Sequence, residues 1–204
     1  MKSLFIIFSF LTVTAFANVE IGKQAPNFSL KGNDGKTYDL SSLKGKWVVL
    51  EWFNNECPYV DKHYHEDFRN MQTLQQKWID EGKKHGGLVW LTINSSVKGK
   101  QGHLDAKLAT KIKNEERKAN MTAILLDGDG KVGKMYGAKT TPHMYIINPE
   151  GKLVYNGAID DQPSARTSTI KGANNYVSSA LTSLFDKKQV AQATTKPYGC
   201  SVKY

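Results

Sequence analysis

Cysteine is scarce in this chain: two in 204 residues, Cys57 and Cys200, lying 143 positions apart. A small disulfide-stapled domain needs several closely spaced cysteines, so that class is excluded. No apolar run after residue 17 approaches the roughly 20 residues that cross a bilayer, so the chain does not read as an integral membrane protein. Internal repeats and low-complexity blocks are absent too. Acidic residues are outnumbered, 19 against 28 basic ones, for a formal charge of +9. The basic residues are scattered through Lys31, Lys36, Lys44, Lys46, Lys152 and Lys187-Lys188, with no stripe interleaved with aromatics. That argues against a nucleic-acid partner. The Asp127-Gly-Asp-Gly130 stretch lacks the later ligands of a calcium loop and reads as a turn.

One segment stands apart. Lys2 precedes an apolar run from Leu4 to Phe16, and Ala15-Phe16-Ala17 supplies the small-x-small pattern of a cleavage site. Residues 1–17 therefore read as a signal peptide, and the protein as exported, periplasmic or secreted. A domain over 18–186 and a polar tail over 187–204 carrying Cys200 follow. The tail shows no helix or strand pattern.

Between them, strands alternate with helices. An Asp-Gly pair at 34–35 joins two short alternating runs into a hairpin. Residues 47–53 form a nearly continuous apolar run, the pattern of a strand buried on both faces. Asn54-Asn55-Glu56 ends it, and Pro58 suits the first helical position because its missing N–H needs no partner there. The apolar spacing predicts one helix over 58–82. Strands at 88–93 and 123–126, helices at 104–118 and 131–136, a hairpin over 143–155 and a closing helix over 173–185 complete the order. This implies an α/β fold with a mixed central sheet and helices on both faces.

Several segments in this order resemble the thioredoxin superfamily, and within it the redoxin branch of alkyl hydroperoxide reductase and thiol-specific antioxidant proteins. They are Gly22-Lys-Gln-Ala-Pro-Asn-Phe-Ser-Leu30 with Asp34-Gly-Lys36, then Leu43-Lys-Gly-Lys-Trp-Val-Val-Leu50, Cys57-Pro-Tyr-Val60 and Thr141-Pro142. The resemblance implies a thioredoxin-like three-layer sandwich. It puts Cys57 in the first-cysteine slot of a Cys-x-x-Cys motif, and Pro142, after Thr141, at the family's cis-proline. Val60 stands where the second cysteine belongs. Asn54 stands where the peroxiredoxins have Thr or Ser, and their arginine has no obvious counterpart, although Arg69 and Arg166 are available. A peroxiredoxin-like subgroup with Asn-x-x-Cys-Pro-Tyr and a Gly-Cys-x-x-Lys ending, here Gly199-Cys-Ser-Val-Lys203, fits best.

A thiol attacks as thiolate, so its pKa governs reactivity. At a helix N-cap the dipole contributes roughly 0.3–1 kcal/mol, up to ~2 when partly buried, enough to move a thiol from about 8.5 towards 7. Lys62 and His63 would assist and Glu56 would oppose. The leading expectation is attack by Cys57 on a peroxide or protein disulfide, with resolution by Cys200 or an external thiol reductant, and a peroxiredoxin-like role ahead. The alternatives are a thiol–disulfide reductase or isomerase for exported proteins, a copper carrier using Cys57, His63 and His143, and a redox-inert interaction domain. No cofactor is expected. Cys200 reads as a resolving thiol, brought to Cys57 by a fold-back of Pro197-Tyr-Gly-Cys200, as half of a constitutive bridge with Cys57, or as a free terminal thiol.

Overall fold

The computed structural model describes residues 19–204; the signal-peptide expectation falls on residues outside that range. Seven strands form one sheet in the order β2-β1-β5-β4-β3-β7-β8. They are β1 (Ser29–Gly32), β2 (Thr37–Asp39), β3 (Trp47–Trp52), β4 (Leu88–Asn94), β5 (Ala123–Leu126), β7 (His143–Ile147) and β8 (Leu153–Gly157). β3, β4 and β5 run parallel, and the remaining neighbours are antiparallel. The sheet is therefore mixed, as its strand and helix order predicts.

Period-two alternation decides which side chain faces which layer. From β3, Val49 packs with Trp90 and Ile146 beneath α1 (Pro58–Tyr64), α2 (Asn70–Gly82) and α5 (Tyr176–Phe185). Its neighbours Val48, Leu50 and Trp52 face the opposite layer, with Val132 and Tyr136 of α4 (Lys131–Tyr136). Both faces are covered, which is why β3 reads as an unbroken apolar run.

Two expectations need correction. The helix predicted over 58–82 is two helices: His65 turns extended at ψ 134° and Arg69 takes a left-handed φ of 46° before α2 starts. Hydrophobic spacing does not register such a break, because Tyr64 and Met71 are buried on either side of it. The predicted helix over 104–118 is a short α3 (Ala106–Lys111) that widens into a π-helix at Ile112–Glu116.

The tail folds back over the domain. Ala193 accepts a hydrogen bond from the Asn156 N–H at 3.0 Å, and Lys203 accepts one from the Val97 N–H at 3.0 Å. The Tyr204 hydroxyl donates to the Ala138 carbonyl at 2.8 Å. Residues Cys200–Ser201 form β9, paired antiparallel with β6 (Thr140–Thr141) outside the main sheet. Single contacts of this kind leave no periodicity, so the sequence pattern is blank where the chain is docked. Among the described residues no helix is long and apolar enough to cross a membrane.

Candidate functional site

The site begins where β3 ends. Asn54, itself buried, turns the chain: its side-chain oxygen accepts from the Glu56 N–H at 2.9 Å, and its carbonyl accepts from the Cys57 N–H at 3.1 Å. Cys57 then adopts an extended N-cap conformation, φ −85° and ψ 121°, with Pro58 as the first helical residue. Its carbonyl accepts from the Val60 and Asp61 N–H groups at 3.0 and 2.8 Å, starting α1. The Asn-x-x-Cys-Pro string thus builds a strand-to-helix junction that aims a thiol along the open end of the helix.

Opposite the sulfur lies the Thr141–Pro142 peptide, which is cis. Cys57 Sγ is 3.1 Å from the Thr141 carbonyl oxygen. The β6–β9 register sets Cys200 directly across from Thr141, whose carbonyl oxygen the Cys57 sulfur touches, so the two thiols lie close enough to interact. Cys57, Thr141, Pro142 and Cys200 are thereby brought together, and both cysteines are free thiols. Only 1% of Cys57 is exposed.

Ionisation of the pair is ordered. Burial pushes the Cys57 thiol up, and its contact with the Thr141 carbonyl also favours the protonated form. The Cys200 thiol, the Thr141 hydroxyl and the Cys200 and Val60 amides outweigh them, so Cys57 lies below the ordinary thiol range. Cys200 is pushed up to about 11 by burial and by its hydrogen bond and charge interaction with Cys57. The two shifts run in opposite directions, so of the pair Cys57 is the thiol favoured to lose its proton.

Around the pair sits a buried polar cluster that the sequence does not reveal. Lys62 Nζ lies 3.6 Å from the Asp160 carboxylate, 2.9 Å from the Gln162 carbonyl and 5.5 Å from the Tyr198 ring centre. The Tyr198 hydroxyl donates to Asp160, and the Tyr198 ring meets Tyr59 edge-on. Burial lowers the Lys62 ammonium, with Asp160 opposing. His63 is held down to about 3 by burial and then by the Lys62 charge. It hydrogen-bonds Asn70 at 2.8 Å, so it is neutral and adds no charge to favour a thiolate. His63 is fully buried, with Asn70, Asp160 and Tyr198 of the tail around its ring.

Arg117 is the guanidinium that reaches the Cys57 loop. It donates to the Asn55 side chain at 2.8 Å, to the Asn55 carbonyl at 3.0 Å and to Asp61 at 2.6 Å. The π-helical turn at Ile112–Glu116 delivers it there. Arg69 instead precedes α2, and Arg166 opens a turn at Thr167–Thr169. Neither makes a polar side-chain contact with the loop. Beneath α1, the Glu51 carboxylate is fully buried; it accepts from Tyr64 and Trp90 at 2.9 Å and from Thr92 at 3.2 Å. Burial raises it to about 7 despite those donors.

The copper set does not assemble. His143 bonds Asn156 at 2.8 Å and Tyr145 at 3.2 Å, and burial depresses it to about 4. His63 is committed to Asn70. Among the described residues no group of three or more His, Cys, Asp or Glu side chains is arranged to hold a metal ion.

The chain is similar to known proteins over much of its length. The chain is 26% identical over 136 residues to the thiol-disulfide oxidoreductase ResA of Bacillus thuringiensis, covering 67% of this chain and 68% of that one. It is 26% identical over 133 residues to the peroxiredoxin Bcp of Bacillus subtilis, covering 57% and 83%. A solved structure, an uncharacterized conserved protein from Geobacillus kaustophilus, superposes with a TM-score of 0.72 at 26% identity, over 91% of this chain and 92% of that one. With its sheet order, its thiol at the start of α1 and its cis-proline across from it, this chain belongs to the AhpC/TSA family of the thioredoxin superfamily, which it matches over residues 21–156.

Proposed function

We propose that the chain is a thiol–disulfide oxidoreductase in which Cys57 attacks and Cys200 resolves. The observation that carries this reading is the placing of Cys200 across from Thr141, whose carbonyl the Cys57 sulfur touches at 3.1 Å, so that the chain's two thiols face one another beside the cis-proline. The Cys57 thiolate attacks one sulfur of a substrate disulfide, and the other substrate sulfur leaves as a thiolate that takes up a proton. Cys200, deprotonated as the mixed disulfide forms, attacks the Cys57 sulfur and releases the second substrate thiol. The products are a Cys57–Cys200 disulfide and a dithiol substrate, two electrons having passed to the substrate. An external thiol reductant restores the pair. Thr141 and Pro142 supply the backbone wall against which the sulfurs meet.

The sequence alone puts peroxide ahead of disulfide. The comparisons reverse that order, since ResA matches more of this chain than Bcp does. The site agrees: the Cys57 sulfur lies 3.1 Å from a carbonyl oxygen, while the nearby Arg117 guanidinium is bonded to Asn55 and Asp61 instead. A protein disulfide is therefore the substrate class. The apolar segment over 1–17 suits an exported enzyme.

The test is a trap. With a peptide disulfide, Cys200→Ser accumulates a mixed disulfide on Cys57, wild type releases reduced peptide, and Cys57→Ser does neither. Turnover of hydrogen peroxide faster than of the peptide disulfide, under the same dithiol reductant, would overturn the reading.

A further inference from the structure

β6 is only Thr140–Thr141, and it belongs to no larger sheet. Its one partner is the chain's own β9, through Thr141 opposite Cys200 and Thr140 opposite Ser201. The Val202 N–H extends the ladder to the Lys139 carbonyl at 3.2 Å. A short exposed-type edge beside a reactive sulfur is the geometry in which an extended peptide adds a strand, with backbone bonds holding it and one side chain presented to the site. Here the tail holds those bonds, and the side chain it presents is a cysteine.

The fit of the tail is close enough to need a glycine. Gly199 has φ +129°, and a Cβ placed on it would overlap the Thr141 carbonyl oxygen and lie 2.8 Å from the Thr141 carbonyl carbon. Any side chain there pushes the segment off the edge. The segment is also fastened on both sides of β9. Tyr198 is gripped by Asp160, Lys62 and Tyr59, and Lys203 accepts from the Val97 N–H. With the segment in place Cys57 is 1% exposed. Exchange needs the attacking sulfur in line with the substrate's S–S bond, and a sealed sulfur admits no such approach.

Resting on the thiol–disulfide reading, we infer that residues 198–202 are a resident occupant of the β6 edge, seated where an extended substrate peptide carrying the disulfide would pair and required to lift before that peptide enters. The segment lifts to admit the peptide, which takes over the backbone bonds to Lys139 and Thr141. It then returns to bring Cys200 onto the mixed disulfide. The tail is thus an occupant of the substrate site that also carries the resolving thiol.

The experiment compares Cys200→Ser with Cys200→Ser/Gly199→Val in the full chain. The rate of mixed-disulfide formation on Cys57 is followed by mass spectrometry with two probes, a synthetic peptide with one internal disulfide and bis(hydroxyethyl) disulfide. Displacing the segment is expected to speed capture of the peptide at least about tenfold, and by more than it speeds the small disulfide. Val202→Pro, which deletes the N–H donated to Lys139, replaces Gly199→Val if the latter fails to fold. Capture of the peptide at an unchanged rate, or an equal gain for both probes, overturns the inference while the exchange reading stands. Capture of neither probe by either protein removes the exchange reading itself, and this inference with it.

Discussion

Glu51 offers the sharpest test of how burial sets charge in this fold. Its carboxylate sits beneath α1 with donors from Tyr64, Trp90 and Thr92, and Gln75 at 3.5 Å. Burial nevertheless lifts it from 4.5 to about 7. A carboxyl raised on folding holds its proton in the native state while the unfolded chain has lost it. Stability is then greatest below the unfolded value and falls as pH rises from about 4.5 to about 7. At about 1.4 kcal/mol for each tenfold change in proton affinity, the loss is about 1 kcal/mol at pH 5 and about 3 kcal/mol at pH 8. Glu51→Gln keeps the shape and cannot ionise. Relative to wild type, the variant should therefore gain about 2.5 kcal/mol between pH 5 and pH 8. Urea unfolding at both pH values, under reducing conditions, measures this; contributions of the other titrating groups cancel in the subtraction. A stability difference between the two proteins that is the same at both pH values would refute the reasoning.

His63 carries the opposite sign. Its folded value of about 3 lies below the ordinary 6.5, so its contribution is lost as pH falls through 6.5 and the loss stops growing near 3. Between pH 7.5 and pH 5 that is about 2 kcal/mol, and a His63→Asn variant should show a smaller acid deficit by that amount in urea titrations at the two pH values. Oxidation of the thiol pair should stabilise the whole chain, because a Cys57–Cys200 bridge closes a loop of more than 100 residues and removes about 5 kcal/mol of unfolded-state entropy. Calorimetry of oxidised and reduced protein should differ by roughly 10 °C or more in Tm, and equal values would exclude the bridge.

What the sequence discloses, and what it hides, divides along one physical line. β3 is legible because strand residues covered on both faces must all be apolar. The junction is legible because Pro58 tolerates the first helical position and Asn54 turns a chain. Cys57 and Pro142 are found by motif, since local backbone geometry fixes them both. The break at His65–Arg69 is hidden, because the residues flanking it face the same core. Glu51 stands as a lone polar residue in an apolar strand, and that is a readable signal: a carboxyl inside such a run demands donors from elsewhere in the chain. Nothing local marks Asp160, Tyr198 or Arg117. Each acts through a partner dozens of residues away, and each reaches it from irregular chain that carries no period to read.

Valine at position 60 explains why the tail bears so much of the site. Val60 is buried in the core with Phe53 and Tyr64, so the first turn of α1 presents a single thiol. A second thiol in that turn would be permanently beside the first, whatever the rest of the chain did. Supplied from residue 200, it is present only while the segment is seated on β6, and the same seating seals Cys57. On the proposed exchange reading, admission of substrate and resolution of the mixed disulfide belong to two positions of one segment, and the order of the two steps follows from where the second sulfur is carried.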